Sequence, residues 1–476
     1  MKTRLASVSG WTWAVIVVCV AHAAWFSYLQ IDAHLGFGTF AYDVGLYDQG
    51  LWLLSRGHAP FVTLMGRNLF GDHASVILFL LVPLYWIVPG TPTLLVVQAL
   101  LVAAGALPLY FFARQRLGHG GLGLLAATAW LANPAVLGAN MENYHPDTFL
   151  ALFIPLALYA AFSERWRLYT AAIVLALLVK EDVLLVVVPL GVYVWWRIDK
   201  RRGLWTMLGG LLAGLLGMFV LMRTLSGVPT RNGWRIPFGG VGGFLREIVT
   251  NPTNVGRYLM QDERPLYIWQ MVAPVAGAFA LSPWVAAIAV PVVASNTIST
   301  FWYQHSIQYH YSVVAVPFLL FAAVMGAARF GPRGRVLLTS LMAVAALSTS
   351  VAWGQHPLAL HPRQVLSADT PVARAGREII RTIPDNAVIS VYDPLTTHLA
   401  HRREVYFFPN PFKAVYYGVD DSLAGTRLPA ADRIDFVVLP RYMGPDQTAD
   451  WLSIASGFEE VASNRFWQVF APRGSP

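Results

Sequence analysis

Charged residues are scarce in this sequence. Only 13% of its 476 residues are Asp, Glu, Lys or Arg, whereas 56% are hydrophobic. Because a soluble globular domain carries about a quarter charged residues, the composition excludes an ordinary soluble enzyme. Apolar runs close to the ~17–25 residues that cross a bilayer recur from Trp11 to about Ala352. We therefore predict an all-α polytopic membrane protein.

Cysteine is almost absent, since Cys19 is the one cysteine of the chain. This excludes an intrachain disulfide, a thiolate metal cluster and a cysteine-pair redox mechanism. The sequence also lacks a glycine-rich phosphate loop, an internal repeat and a low-complexity tract. Its net charge of +8 does not indicate a nucleic-acid partner, because much of the excess lies in short basic clusters at the ends of apolar runs.

These basic clusters assign sides to the apolar runs. If all are cytoplasmic, each consecutive pair encloses an even number of crossings. That condition holds if Val76–Val88 is an interfacial or re-entrant helix and if Leu168–Trp196 forms two short helices joined by an outer turn. We then predict about eleven crossings, a cytoplasmic N-terminus and an outer C-terminus. The clusters are Lys2/Arg4, Arg114/Arg116, Arg165/Arg167, Arg197–Arg202 and Arg329–Arg335.

The composition changes to that of a soluble domain from about Gln355. Helix-like and strand-like segments alternate along this tail, which predicts a small α/β domain. We therefore divide the chain into a transmembrane core, residues 1–354, and an extracytoplasmic α/β domain, residues 355–476.

Polar motifs concentrate in the loops that are predicted to lie outside. They are YDVGLYDQGLW (Tyr42–Trp52), GDHAS (Gly71–Ser75), ENYHPD (Glu142–Asp147), KED (Lys180–Asp182) and FWYQHSIQYHY (Phe301–Tyr311). All of them lie beside an apolar boundary. We expect them to contribute to one shared site.

The acids of these motifs have two interpretations each. Asp43 could take a proton as a general base, or it could cap the helix that it begins. Asp48, a candidate substrate-binding residue, lies five positions further on, about 140° around a helix, so only one of the two acids can face a given cleft. Asp147 follows Pro146 and is equally a candidate for catalysis or for capping.

Other residues suggest binding roles. Glu142 and His145 are difficult to explain by packing, and His145 precedes a proline, which predicts an ordered turn. Asp72 and His73, together with Asp43, could hold a divalent cation such as Mg or Mn, although no H-x-x-x-H spacing supports a metal.

The charged turn and the last outer loop also have two interpretations each. Lys180, Glu181 and Asp182 could form a self-paired turn, or Lys180 could face a lipid phosphate. Trp302, Tyr309 and His310 could line a sugar site or belong to an interfacial aromatic belt.

Two resemblances follow from these motifs. FGTFAYDVGLYDQGLW, GDHAS, ENYHPDTF, KEDV and QYHY, taken in order, resemble a domain-of-unknown-function family of predicted bacterial polytopic membrane proteins. The resemblance covers most of Gly36–Arg335 and a stretch of the tail, LAHRREVYFFP (Leu399–Pro409). A first helix followed by an acidic outer loop with amphipathic helices is similar to the GT-C superfamily of membrane glycosyltransferases.

The GT-C resemblance implies an activity. It implies transfer of a sugar, with inversion, from a polyprenyl-phosphate donor to an envelope acceptor at the outer face of the bacterial plasma membrane. Asp43 matches the first-loop acid, which is the expected base, and Asp147 or Glu142 matches the second acidic position. Lys180 and His145, with a cation if one is bound, would stabilise the leaving phosphate.

Two other functions stay open. A transporter or flippase of lipid-linked substrates is the first, although transporters usually place their charges at midplane between repeats. A non-catalytic protein of envelope assembly, acting through its C-terminal domain, is the second.

Overall fold

The computed structural model describes residues 9–230, 232–416 and 423–474. Lys2 and Arg4, which helped to orient the chain, lie outside the described residues. The main helices are Gly10–Leu35, Leu46–Ser55, Thr91–Leu117, Gly120–Leu131, Pro134–Met141, Pro146–Phe162, Trp166–Leu177, Leu184–Arg197, Lys200–Ser226, Val241–Thr250, Pro252–Leu259, Arg264–Val272, Pro283–Ile298, Val316–Ala327 and Pro332–Trp353.

Several of these helices have the length and composition of membrane spans. Among the described residues, four are long and apolar enough to cross a bilayer, and a bent pair makes a fifth if it counts as one span. The four are Gly10–Leu35, Thr91–Leu117, Lys200–Ser226 and Pro332–Trp353. The other apolar runs that were expected to cross fall on shorter helices or helical turns, so the number of crossings stays a prediction.

The bent pair consists of Gly120–Leu131 and Pro134–Met141, which meet at an angle of 51°. Pro134 cannot continue the preceding helix. The Asn133 side chain caps the new one by accepting from the backbone N–H of Ala135 at 3.0 Å. The bend aims the second helix so that Glu142 follows directly at its end.

The two ends of helix Gly10–Leu35 differ in chemistry. Near its start, Arg114 donates to Thr12 at 3.2 Å. Near its end, Gln30 donates to the backbone carbonyl of Glu142. Thr12 and Gln30 are separated by about 27 Å along the helix at 1.5 Å per residue, close to the ~30 Å of a bilayer core. Basic helix ends and acidic motifs therefore lie at opposite ends of the bundle.

The turn predicted at Lys180–Asp182 is present. Helix Trp166–Leu177 ends before it, and helix Leu184–Arg197 begins after a short helical turn, Glu181–Val183. The backbone of Lys180 is extended, with φ −165° and ψ 153°. The three charged residues therefore occupy a break between two helices, and the interpretation of Leu168–Trp196 as two helices is confirmed.

The C-terminal part contains a sheet of five strands, so the predicted small C-terminal α/β domain is present. We number the strands of the chain β1 (Phe61–Val62), β2 (Arg67–Asn68), β3 (Ile389–Val391), β4 (Val405–Phe407), β5 (Phe436–Pro440), β6 (Phe458–Ser463) and β7 (Trp467–Pro472). The order in the sheet is β4-β3-β5-β7-β6. Strands β4, β3 and β5 are parallel, and β7 and β6 are antiparallel additions. Helices Pro371–Ile380 and Pro445–Leu452 accompany this sheet.

The first loop packs directly against this C-terminal sheet domain. The backbone N–H of Ala41 donates to Asp393 Oδ1 at 2.8 Å, and the hydroxyls of Thr39 and Thr397 lie 2.8 Å apart. Further along, the Thr63 hydroxyl bonds to the backbone of Val405 at the start of β4. These bonds hold the acidic first loop between the helix bundle and the sheet.

Candidate active site

Four of the polar motifs meet at one end of the helix bundle. We call this group the polar cluster, defined by the side chains of Asp43, Glu142, His145, Asp147, Lys180, Asp182 and His310. Each member lies between 2.9 and 3.9 Å from another member, or stacks on one. Residues from four of the motifs therefore form one continuous set of contacts.

Asp43 reaches the polar cluster from a wide helical turn, Ala41–Gly45, that precedes helix Leu46–Ser55. Its backbone departs from helical geometry, with φ −99° and ψ −110°. The Asn143 amide donates to Asp43 Oδ2 at 2.8 Å, and Oδ1 lies 3.8 Å from His145 Nε2. A third of the Asp43 side chain is exposed (33%), so a solute can approach this carboxylate.

Glu142, His145 and His310 form the centre of the polar cluster. His145 has extended backbone before Pro146, with φ −135° and ψ 143°, which is the non-helical geometry that a residue before proline prefers. Its ring stacks on that of His310 with centroids 3.8 Å apart. Glu142 Oε2 accepts from the backbone N–H of His310 at 2.6 Å and lies 2.9 Å from its Nδ1. All three side chains are buried.

Lys180 contacts two carboxylates of the polar cluster. Its Nζ lies 3.6 Å from Asp147 Oδ1 and 3.6 Å from Asp182 Oδ2, with Tyr311 offering its ring at 5.8 Å. Asp147 in turn lies 3.9 Å from His310 Nε2. Lys180 is thus a buried cation held by two carboxylates, of which that of Asp182 is half exposed.

Burial and neighbouring charges shift the pKa values in the polar cluster. Burial, with the nearby Asp43 carboxylate, raises the pKa of Glu142 to about 8. Burial also lowers the pKa of His310 to about 4. Burial would lower the pKa of Lys180, but Asp147, Asp182 and Glu181 together raise it, so the ammonium stays charged at neutral pH.

The GDHAS motif extends this series of charges. Glu181, next to Lys180 in sequence, lies 2.8 Å from His73 Nδ1 and accepts from the backbone N–H of Ala74 at 3.0 Å. His73 Nε2 lies 3.9 Å from Asp72, which pairs with Arg67 at 3.4 Å. Burial and Lys180 oppose protonation of His73, but Glu181 raises the pKa of this histidine above its ordinary value.

A sequence comparison identifies the family. The profile described as "Predicted membrane protein (DUF2079)" matches residues 33–436, which include every motif of the polar cluster. The chain belongs to the DUF2079 family. No curated protein matches the sequence significantly.

Two solved structures of ArnT from Cupriavidus metallidurans are similar to this DUF2079 chain. The apo structure aligns with a TM-score of 0.61 at 15% identity, over 96% of this chain and 97% of ArnT. The structure bound to undecaprenyl phosphate aligns with a TM-score of 0.58 at 15% identity, over 98% and 99% of the two chains. The chain therefore has an ArnT-like fold over almost its whole length, and the predicted fold class is confirmed.

Asp48 lies apart from the polar cluster in the DUF2079 fold. Its Oδ1 accepts from Tyr85 at 2.9 Å and lies 2.9 Å from His401 Nε2, and its Oδ2 accepts from Thr91 at 2.7 Å. Asp48 is only 1% exposed. The acid that we expected to bind substrate is therefore fully occupied by protein donors, in a contact with the C-terminal domain.

The aromatic residues of the loop Phe301–Tyr311 surround Tyr303. Trp302 stacks on Tyr303 at 4.0 Å, and Tyr309 meets both rings edge to face. Trp302 is half exposed (51%), whereas the neighbouring His310 is buried in the polar cluster. The loop thus presents aromatic faces beside the cluster, and either a sugar site or an interfacial belt fits them.

The proposed metal ligands of the sequence analysis are not brought together. Among the described residues, Glu142, His145 and His310 are the only three His, Cys, Asp or Glu residues whose ligand atoms all lie within 4.8 Å. Asp43 contacts His145, whereas Asp72 and His73 lie at the Glu181 end of the series. The Asp43, Asp72 and His73 set is therefore not a preformed site.

Sequence reasoning missed the contacts that three residues make with the first loop. Asn143 lies within ENYHPD, so its motif was found but its bond to Asp43 was not. Asp393 and His401 belong to the C-terminal domain and contact the first loop across about 350 residues of sequence. No local pattern indicates such partners, although His401 lies in the family-like LAHRREVYFFP stretch.

Proposed function

We propose that this protein is a membrane glycosyltransferase that moves a sugar from a polyprenyl-phosphate donor to an envelope acceptor. The observation that carries the proposal is the continuous contact series from Asp43, a partly exposed carboxylate, to Lys180, a buried ammonium. Sugar transfer from a phosphate needs these two groups, one to accept a proton and one to stabilise the leaving anion. The GT-C-like fold supports the same reaction class.

The outer face is the proposed side of the reaction. The arginines at the ends of helix pairs gather near the start of helix Gly10–Leu35, since Arg114 bonds to Thr12 and Arg335 to the carbonyl of Leu117. Basic ends are typically cytoplasmic. The polar cluster lies at the opposite end, which supports its place outside.

The polyprenyl chain has a candidate path beside the polar cluster. An apolar cavity of about 580 Å³ is lined by Ile268, Met271, Val290, Val293 and Leu319, among others. Helix Pro283–Ile298 separates it from a small cavity of about 40 Å³ lined by Asp147, Asp182, Asn296 and Tyr311. A lipid tail in the first cavity would therefore end near charged groups at the second.

The proposed reaction uses Asp43 and Lys180 in two different roles. The acceptor hydroxyl gives its proton to Asp43 as its oxygen attacks the anomeric carbon of the donor sugar. The bond from that carbon to the phosphate oxygen breaks on the opposite face, which inverts the configuration. The polyprenyl phosphate leaves with the bonding electrons, and Lys180 stabilises the charge that develops on it.

The other members of the polar cluster have supporting roles in this proposal. Asp147 holds the Lys180 ammonium at 3.6 Å. Asn143 orients Asp43 by donating to Oδ2, so Oδ1 is left to accept the proton. Trp302 and Tyr309 offer ring faces for the sugar or the acceptor.

The test uses the full chain in detergent with undecaprenyl phosphate as the probe. A ligand at a hundred times its Kd stabilises the folded state by about 2.7 kcal/mol. We expect undecaprenyl phosphate to raise Tm and undecaprenol, which lacks the phosphate, to raise it much less. Lys180→Gln should remove the preference for phosphate, whereas Lys413→Gln, an exposed lysine of the C-terminal domain, should retain it.

Two outcomes contradict the proposal. Equal stabilisation by undecaprenyl phosphate and undecaprenol would mean that Lys180 does not bind the lipid phosphate. Passage of a polyprenyl-phosphate sugar across proteoliposomes, with the sugar still attached to its lipid, would favour a flippase. Release of undecaprenyl phosphate from that donor would favour the transferase.

A further inference from the structure

Glu142, His145 and His310 have the composition and spacing of a metal site. One ligand atom of each residue lies within 4.8 Å of the other two, and all three residues are buried. Glu142 Oε2 lies 2.9 Å from His310 Nδ1 and 3.9 Å from His145 Nδ1. A tetrahedral zinc ion with ligands at about 2.0–2.2 Å separates neighbouring ligand atoms by roughly 3.3–3.5 Å. The observed separations bracket that value.

We propose that these three residues bind a divalent transition-metal ion, for which zinc is the best match. Two imidazoles and one carboxylate are a frequent ligand set of zinc, which leaves a fourth position open. Mg and Ca prefer oxygen ligands alone, so the donor set does not suit them. The proposal concerns metal binding only and does not depend on the proposed sugar transfer.

The surroundings of the two rings support ligation through Nδ1. Histidines that bind metals usually donate their second ring N–H to a carboxylate or a carbonyl. His145 Nε2 lies 3.8 Å from Asp43, and His310 Nε2 lies 3.9 Å from Asp147. Each imidazole thus lies between Glu142 and a second carboxylate.

Binding requires local changes at both rings, because His310 Nδ1 bonds to Glu142 Oε2 at 2.9 Å and each Nδ1 must lose its proton to ligate an ion. His145 Nδ1 also lies 2.9 Å from the Asn143 carbonyl, and the two rings are stacked with 20° between their planes. A metal would replace the bond to the carbonyl and turn the His145 ring so that both Nδ1 lone pairs converge on the ion. The same rotation can bring Nε2 towards Asp43.

A second stacked histidine pair provides the matched control. His34 and His398 have ring centroids 4.1 Å apart, and their planes are nearly parallel, at 7°. Their nearest partners are a hydroxyl and a carbonyl, since His34 Nδ1 bonds to Thr39 and His398 Nε2 to the backbone oxygen of His34. This pair resembles the first in ring geometry, but no carboxylate of a described residue pairs with either of its rings.

The experiment measures metal content. The full chain is purified in detergent, stripped with EDTA, incubated with zinc and passed over a desalting column before elemental analysis. We expect about one zinc ion per chain for the wild type and for His398→Gln. Glu142→Gln and His310→Gln should each retain far less, because each removes one of three ligands.

A measurement on the wild type alone covers the case in which the variants do not fold. X-ray absorption at the zinc edge should show nitrogen and oxygen neighbours at about 2.0–2.2 Å and the multiple scattering of imidazole. A wild type without retained zinc, a spectrum without imidazole, or variants that bind as much zinc as the wild type would each overturn the proposal.

Discussion

Two regions of this protein combine an aspartate with a pair of stacked histidines but differ in their surroundings. In the polar cluster, Asp43 lies beside His145, which stacks on His310 at 3.8 Å. Where the first loop meets the C-terminal domain, Asp48 lies beside His401, and His34 stacks on His398 at 4.1 Å. The two acids are only five residues apart.

The difference between the regions lies in how completely the carboxylates are occupied. Asp48 is 1% exposed, and both of its oxygens have partners in the protein. Among the described residues, Asp43 has one hydrogen-bond donor, Asn143, and a third of its side chain is exposed. An acid with all its partners in the protein stabilises the fold, whereas an acid with a free oxygen can react with a solute.

Replacement of Asp43 should have the largest effect, and it should lower activity rather than stability. If Asp43 is the general base, Asp43→Asn should lower sugar transfer by about 10²–10⁴-fold. Tm should change little, because the amide oxygen of the substituted side chain can still accept from Asn143. The measurement is release of undecaprenyl phosphate from a polyprenyl-phosphate sugar in proteoliposomes.

Asp446→Asn is the control for this variant, since Asp446 is exposed in the C-terminal domain. It should retain wild-type transfer. Full activity of Asp43→Asn, with Tm unchanged, would remove Asp43 from the reaction and leave the polar cluster without its proposed base.

Replacing Asp48 should have the opposite pattern and a smaller effect in energy. Asp48→Asn places an NH₂ group against one of three donors, namely Tyr85, Thr91 or His401, and leaves that donor unpaired. The expected cost is about 2–3 kcal/mol of stability, because the desolvation of a buried donor is unfavourable when no hydrogen bond compensates for it. A lower Tm, with near-normal transfer per folded molecule at low temperature, is the expected result.

The Asp48 experiment also tests the contact with the C-terminal domain. His401→Gln should lower Tm in the same direction but by less, because a glutamine amide can still donate to Asp48. A wild-type Tm for Asp48→Asn would mean that this contact contributes nothing to stability. The two acids would then not differ in the way that their surroundings suggest.

The sequence predicts the separate parts of this arrangement better than their connection. The polar motifs, the turn at Lys180 and most strands of the C-terminal sheet follow from hydropathy, from basic clusters and from alternating patterns. Strand β6 escapes because Phe458–Ser463 is largely exposed and does not alternate between buried and exposed residues. The short hairpin of β1 and β2 has two residues per strand, too few for any pattern.

The candidate site shows the same limit. ENYHPD and QYHY are visible as motifs, but the stacking of His145 on His310 depends on how the 51° bend aims one helix. The first-loop contacts of Asp393 and His401 join residues more than 350 positions apart. Long-range contacts of this kind come from packing, which a local pattern does not contain.

The smallest expected effect concerns the His73 and Glu181 pair, which extends the charge series beyond the polar cluster. Glu181 raises the pKa of His73 above its ordinary value of about 6.5, although burial and Lys180 oppose this shift. The protonated histidine therefore stabilises the fold fully below about pH 6.5, and this contribution is lost as the pH rises through the raised pKa. Glu181, whose own pKa is lowered, stays ionised throughout this range.

We expect His73→Gln to lower Tm by roughly 1–3 °C at pH 6 and by less at pH 9. His361→Gln, an exposed histidine, should leave Tm unchanged at both values. A deficit for His73→Gln that is equal at the two pH values, or larger at pH 9, would mean that His73 acts by packing and that the charge series ends at Lys180.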